Sequence, residues 1–194
     1  NAALIIISCG MSLVMITGGI DISVGGVVAL VSMCCAVYLD YHGGNIFGAI
    51  GISLLIGLGF GLVQGYLVAY LDIQPFIVSL AGMFFARGMT TIVNTNPFNV
   101  ANEQFVALKD TRITIPGMGS VNKLGNYVNA YIEIGVVVAL LVVILLFCVL
   151  RFTKFGRKFY AVGGNSQSAL MLGINVKRTK FFAYLICSVL AGIG

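Results

Sequence analysis

Residues 132–150 read IEIGVVVALLVVILLFCVL, and Arg151 follows directly. Apart from Glu133 near its head, the run carries no charge. A helix rises about 1.5 Å per residue and must cross roughly 30 Å of hydrocarbon, so a run of this length suits one membrane crossing. Strict period-two alternation is absent, which argues against a β-barrel strand. The flanks supply a direction. Residues 151–180 hold Arg151, Lys154, Arg157, Lys158, Lys177, Arg178 and Lys180, seven of the eleven basic residues, with no acidic residue among them. By the positive-inside bias this segment is expected in the cytoplasm. Residues 94–131, on the other flank, balance Lys109, Arg112 and Lys123 against Glu103 and Asp110, with Pro97, Pro116, Gly117 and Gly119 as turn residues. They are expected outside as an extracytoplasmic aqueous loop, with a short amphipathic helix over 103–108.

The same pattern recurs along the chain. Apolar runs occupy 2–17, 24–39, 46–70 and 75–93, and another begins at 181–194. Of the 194 residues, 59% are hydrophobic and 9% charged, and the mean hydropathy is +1.05. A soluble domain carries about 25% charged residues, so lipid is the expected solvent for most of this chain. The reading is an all-α, polytopic transmembrane helical bundle in one domain, 1–194, with about five spans and the start of a sixth. The chain begins at Asn1 within one apolar run and stops at Gly194 within another, so a longer parent protein is expected. The opening run lacks a basic leader region and does not read as a signal peptide.

Residues 18–25 interrupt the first two runs with Gly18-Gly19-Ile20-Asp21-Ile22-Ser23-Val24-Gly25. Each run is about 24 Å long as a straight helix, which is thin for a span. Two readings stand: a pair of thin spans, or one discontinuous helix with an unwound middle. Either places polar backbone near the membrane, where it persists only if buried in protein or lining a wet cavity. A carboxylate there is costly and marks a functional candidate. Asp21 or Ser23 is equally suited to cap the next helix. Gly57, Gly61 and Gly65, at four-residue spacing, form a smooth face for close helix approach. Phe76 follows Pro75 at a helix start. Arg87 lies deep in its run and is expected to snorkel or to pair between helices, and less to touch solute. These observations make Gly18, Gly19, Asp21, Ser23, Phe76 and Arg87 the candidates for a translocation pathway or helix break.

Other chemistries find little support. No phosphate-binding Gly-rich loop ending in Lys-Ser/Thr is present, so nucleotide hydrolysis is not expected of this chain. His42, the single histidine, has no orienting partner nearby in sequence and reads as a loop residue. The five cysteines sit in apolar runs as packing residues, away from metal-ligand spacing, so no metal site and no bound cofactor are expected. The net charge of +5 is explained by orientation rather than by nucleic acid. In the basic segment, Asn165 or Ser166 is placed to cap a short helix that Gly173 ends, and such a helix suits a groove on a partner protein.

Three stretches together resemble the ribose-type permeases of bacterial ABC sugar importers. They are residues 18–25, residues 75–80 running to Arg87-Gly88, and Thr153-Lys154-Phe155-Gly156-Arg157 with Ala161-Val162-Gly163-Gly164-Asn165 and Gly173-Ile174. Residues 79–88 look closest to the galactofuranose branch. The resemblance implies a subunit of the inner membrane without enzymatic activity, translocating a pentose or hexose. It implies a separate ATPase that binds ATP and Mg, a periplasmic or lipid-anchored sugar-binding protein, and a second permease in a homodimer or heterodimer. It also implies that residues 166–172 form the ATPase coupling helix, with Gly164, Asn165, Ser166, Gln167, Ser168, Ala169 and Gly173 as its elements. The importer pattern has Glu-Ala-Ala where this chain has Gln167-Ser168-Ala169, so the usual carboxylate is missing. The rival reading is an ion-coupled secondary transporter or channel. It needs a relay of intramembrane ionisable residues, and only Asp21 and Arg87 qualify.

Overall fold

The computed structural model describes residues 1–41, 43–95, 112–121 and 127–194. Among them are helices α1 (Ala2–Ile16), α2 (Val24–Tyr41), α3 (Ile46–Ala69) and α4 (Pro75–Val93), then strands β1 (Arg112–Val121) and β2 (Tyr127–Glu133). Helices α5 (Ile134–Phe152), α6 (Lys154–Gly164), α7 (Ser166–Met171) and α8 (Val176–Ile193) complete the order. By length and composition, α2, α3, α4 and α5 suffice to cross a membrane, and α1 is a shorter apolar helix. His42 and the helix expected over 103–108 lie outside the described residues.

Helix α8 is the centre of the bundle. A Cβ on Gly57 would lie 2.8 Å from the Ser188 carbonyl oxygen, one on Gly61 2.8 Å from Leu185 Cα, and one on Gly65 3.0 Å from the Phe181 oxygen. The glycine face of α3 therefore seats α8 backbone to backbone, as small residues permit in a membrane where apolar burial gives helices no mutual attraction. Rising numbers on α3 meet falling numbers on α8, so the two are antiparallel. Helix α1 is antiparallel to α8 as well: Gly10 faces Cys187, while Gly194 meets Ala3. Helix α2 is antiparallel to α3, since Ser23 meets Gln64 and the Cys35 thiol donates to the Ala49 oxygen at 3.3 Å. It follows that α1 and α2 point in opposite directions. Of the two open readings of residues 18–25, the antiparallel course of α1 and α2 agrees with a pair of spans and not with one discontinuous helix, although α1 is shorter than the four spanning helices.

That turn has a definite address. Lys177, at the start of α8, lies 3.9 Å from Asp72 in the α3–α4 connection. The turn, Asp72 and the basic segment thus occupy one end of the bundle. Gln64, which meets the turn, stands five residues before the end of α3, so the turn is recessed by about 8 Å from that end. Helix α6 covers it. Phe155, Phe159 and Val162 recur at i, i+4 and i+7, the apolar stripe of an amphipathic helix. Phe159 and Val162 are buried, and Phe159 joins the cluster that includes Leu13, Val14 and Tyr184.

Three local differences from the sequence reading have physical causes. Residues 151–180 are mostly helical rather than loop, because the stripe on α6 outweighs the charges on its outer face. Helix α8 starts at Val176, ahead of its apolar run, because the Asn175 side chain accepts the Arg178 N–H at 3.0 Å as an N-cap. Within the segment read as loop, β1 and β2 pair antiparallel, Arg112 with Glu133 through Thr114 with Tyr131, then Gly119 with Asn129 through Val121 with Tyr127. The register shifts between Thr114 and Gly119, around Pro116, which has no N–H to give to a ladder. Strand β2 takes Ile132 and Glu133, so α5 begins at Ile134.

Candidate functional site

The turn is built one hydrogen bond at a time. Helix α1 ends with Thr17 as C-cap and Gly18 at φ +78°, a left-handed conformation that glycine adopts without strain. The Gly19 N–H reaches the Val14 oxygen and the Gly18 N–H the Met15 oxygen, both at 3.0 Å, which is the pairing of a Schellman stop. A Cβ on Gly19 would lie 2.6 Å from the Tyr184 hydroxyl oxygen. Tyr184 on α8 uses that space to donate to the Ile20 oxygen at 3.2 Å. The two glycines are therefore required for different reasons, one for its dihedral and one for its lack of side chain.

Asp21 and Ser23 follow, buried to 1% and 0% exposure. Asp21 Oδ1 accepts the Ser23 N–H at 2.9 Å and the Ser23 hydroxyl at 2.6 Å. The Ser23 oxygen in turn accepts from Gln64 Nε2 at 2.8 Å. With a single hydroxyl proton committed to the carboxylate, the chain of donors runs from Gln64 through Ser23 to Asp21. Ser23 holds the position before α2, and its carbonyl accepts the Val27 N–H at 2.9 Å. Its hydroxyl, however, serves Asp21 and not a helix N–H, so the side-chain cap expected of Asp21 or Ser23 takes the form of a local carboxylate turn. Helix α4 closes the cluster: a Cβ on Gly82 would collide with Gln64 Nε2 and lie 3.3 Å from Ser23 Cβ. Cys187 of α8 lies beside the carboxyl group. Among the described residues, nothing donates to Asp21 Oδ2 or pairs with Ser188 Oγ, and both atoms are buried.

Four of the sequence candidates, Gly18, Gly19, Asp21 and Ser23, thus meet in one cluster. Phe76 and Arg87 do not join it. Both are exposed on α4, and among the described residues no carboxylate lies within ion-pair distance of Arg87. The pairing expectation for Arg87 is therefore not met there, whereas an outward-lying side chain is what the structure has. Gln64 was overlooked, although a lone amide inside the apolar run 46–70 is itself a signal. It also lines a cavity of about 610 Å³ between α2, α3 and α4, whose wall includes Phe60, Phe85 and Gly82.

The second group of candidates lies at the end of α6 and on α7. Asn165 Oδ1 accepts the N–H groups of Gln167 and Ser168 at 2.9 and 3.0 Å, an N-cap of α7. Gly173, at φ +76°, follows the helix end, and its N–H reaches the Leu170 oxygen at 3.0 Å. Ala169 faces inward, while Gly164, Asn165, Gln167, Ser168 and Gly173 are exposed and Ser166 is half-buried. Leu170, Met171 and Leu172, not singled out in the sequence, are 65%, 88% and 78% exposed. An apolar triplet of this kind, raised on a capped turn, is unusual on a surface without a partner.

Residues 2–194 match the family model described as branched-chain amino acid transport system / permease component. The chain belongs to this family. Its relatives include the fructose import permease protein FruG of Bifidobacterium longum, 37% identical over 100% of this chain and 55% of its own length. The inner membrane ABC transporter permease protein YjfF of Escherichia coli is 34% identical over 98% of this chain and 54% of itself. The ribose import permease protein RbsC of Escherichia coli is 32% identical over 97% and 55%. The chain spans about half the length of these relatives. No solved structure matches. Membership agrees with the expected ribose-type resemblance, and with its apolar helices the permease component is a multi-pass membrane protein.

Proposed function

We propose that this chain forms a membrane-spanning part of a permease subunit that imports a monosaccharide across the bacterial inner membrane, driven by a separate ATPase. The relatives named for fructose and ribose import support a pentose or hexose as solute. The observation that carries the coupling is α7, held by the Asn165 cap and presenting Leu170, Met171 and Leu172 at the basic end of the bundle. A short rigid helix with an apolar crest suits insertion into a groove of the ATPase, where ATP and Mg would be bound. Closure of the two ATPase subunits would push on α7 and bias the bundle between two packings. The permease itself does no chemistry; it contributes conformations of different affinity for the nucleotide-bound partner. A second permease copy or homologue, and a sugar-binding protein on the opposite face, complete the assembly. The hairpin of β1 and β2 belongs to that extracytoplasmic face and residues 151–180 to the cytoplasm. Asp21, Ser23 and Gln64 hold the inner end of α2 in place beside the pathway.

The test is co-purification of the full-length permease with its ATPase, in wild type and with Leu170, Met171 and Leu172 each changed to Ser. Loss of the ATPase from a permease that still inserts and stays monodisperse is the expected result. Retention of the ATPase by the triple variant would move the docking site elsewhere. Failure of the unaltered pair to associate at all would return attention to ion-coupled transport.

A further inference from the structure

Between α7 and the recessed turn lies a contact made by backbone alone. Gly163, one residue before the end of α6 and exposed on its outer side, lies so close to the end of α1 that any Cβ there would run into the Ile16 carbonyl oxygen. Ile16 and Thr17 lead straight into the Gly18 stop. On the other side of Gly163 the join to α7 is short and well tied. The Asn165 N–H reaches the Ala161 oxygen at 3.2 Å, and the Ser166 hydroxyl reaches the Val162 oxygen at 3.1 Å. Asn165 is at once the C-cap of α6 and the N-cap of α7. Val162, beside Gly163, is buried at 1% exposure and cannot swing out to absorb a shift. Beyond Ile16 the turn is equally constrained, through Tyr184 to Ile20 and through Asp21 and Ser23 to Gln64.

We infer that Gly163 is the positioning residue through which displacement of α7 is passed to the Gly18–Ser23 turn, and so to the inner end of α2. A flexible side chain at this contact would change rotamer and dissipate the movement. Two backbones in contact have no such freedom, and the buried Val162 beside them keeps the contact in register. The inference rests on the coupling role proposed for α7, and its test separates the two.

The full-length permease is expressed with its ATPase, and Gly163→Ala is compared with Gly51→Ala, a helical glycine of α3 with open space around its Cα. Three readouts are taken: ATPase co-purification, solute uptake, and the labelling rate of Ile20→Cys in a cysteine-free background by a soluble maleimide. Ile20 is 50% exposed and reports the turn directly. In the parent complex, Ile20→Cys is expected to label at different rates in the nucleotide-free and ATP-trapped forms. Gly163→Ala should keep the ATPase bound, lose uptake by about tenfold or more, and abolish that rate difference, whereas Gly51→Ala keeps all three. Normal uptake with an unchanged rate difference in Gly163→Ala would overturn the inference. So would the absence of any nucleotide-dependent labelling in the parent complex, a readout that stands even where Gly163→Ala does not assemble. Loss of ATPase binding by the parent would instead refute the proposed coupling.

Discussion

Asp21 is a buried carboxylate in a membrane bundle, and its one satisfied oxygen holds two hydrogens of Ser23. Removing an acceptor and leaving its donors buried costs about 1–3 kcal/mol, more when the acceptor is charged. Asp21→Ala in the full-length permease is therefore expected to lower solute uptake by about tenfold or more with membrane insertion intact. Asp21→Asn, which keeps an Oδ1 acceptor, should lose less. Radiolabelled uptake in cells, normalised to the amount inserted, is the measurement, and normal uptake by Asp21→Ala would remove the turn from the mechanism. Asp21 was legible because a charge among glycines between apolar runs has few innocent explanations. The lone amide of Gln64 in its apolar run was a legible signal that went unused, but its partner Ser23 was not legible, because that pairing exists only when α3 is brought alongside α2.

At the scale of elements, the apolar runs fixed the helices of the bundle to within a few residues, since hydrocarbon leaves the backbone no other way to satisfy itself. Amphipathic segments were harder. The Phe155, Phe159 and Val162 stripe of α6 was overshadowed by the basic residues between its members, and the β1–β2 hairpin lacks any clean alternation. The glycine seam of α3 yields a sharp expectation. Gly61→Leu would have to displace the backbone of α8, and overpacking of this kind costs about 1–3 kcal/mol or more. A smaller monodisperse fraction in detergent and a lower melting midpoint are expected, while Gly51→Leu, with open space, keeps the parent profile. For α7, Asn165→Ala removes a cap worth about 1 kcal/mol, so a titration should show ATPase affinity reduced about fivefold without loss of the fold.

For the whole molecule, orientation follows from which end holds the basic segment. A soluble, membrane-impermeant maleimide should label Ile113→Cys in intact spheroplasts and Lys158→Cys only after permeabilisation, both in a cysteine-free background. The reverse pattern would invert the permease. The arrangement also explains why the choice between two thin spans and one broken helix could not be made from residues 18–25 alone. It was decided by contacts of α1 with α8 and of α2 with α3, all of them made with elements outside that stretch.

Helix α8 is the common neighbour of α1 and α3, yet the ribosome makes it after both. During synthesis the α3 glycine seam must wait in the bilayer, bare, through the making of α4, the hairpin and α5. Until α8 arrives, α1 and α3 lack the helix that joins them, and the Asp21 turn lacks the Tyr184 hydroxyl that holds it. Assembly of this bundle is therefore a process of delayed closure, in which early helices are locked by a late one. Nascent chains arrested before residue 176 should accordingly be stable in the membrane only while something else occupies that seam.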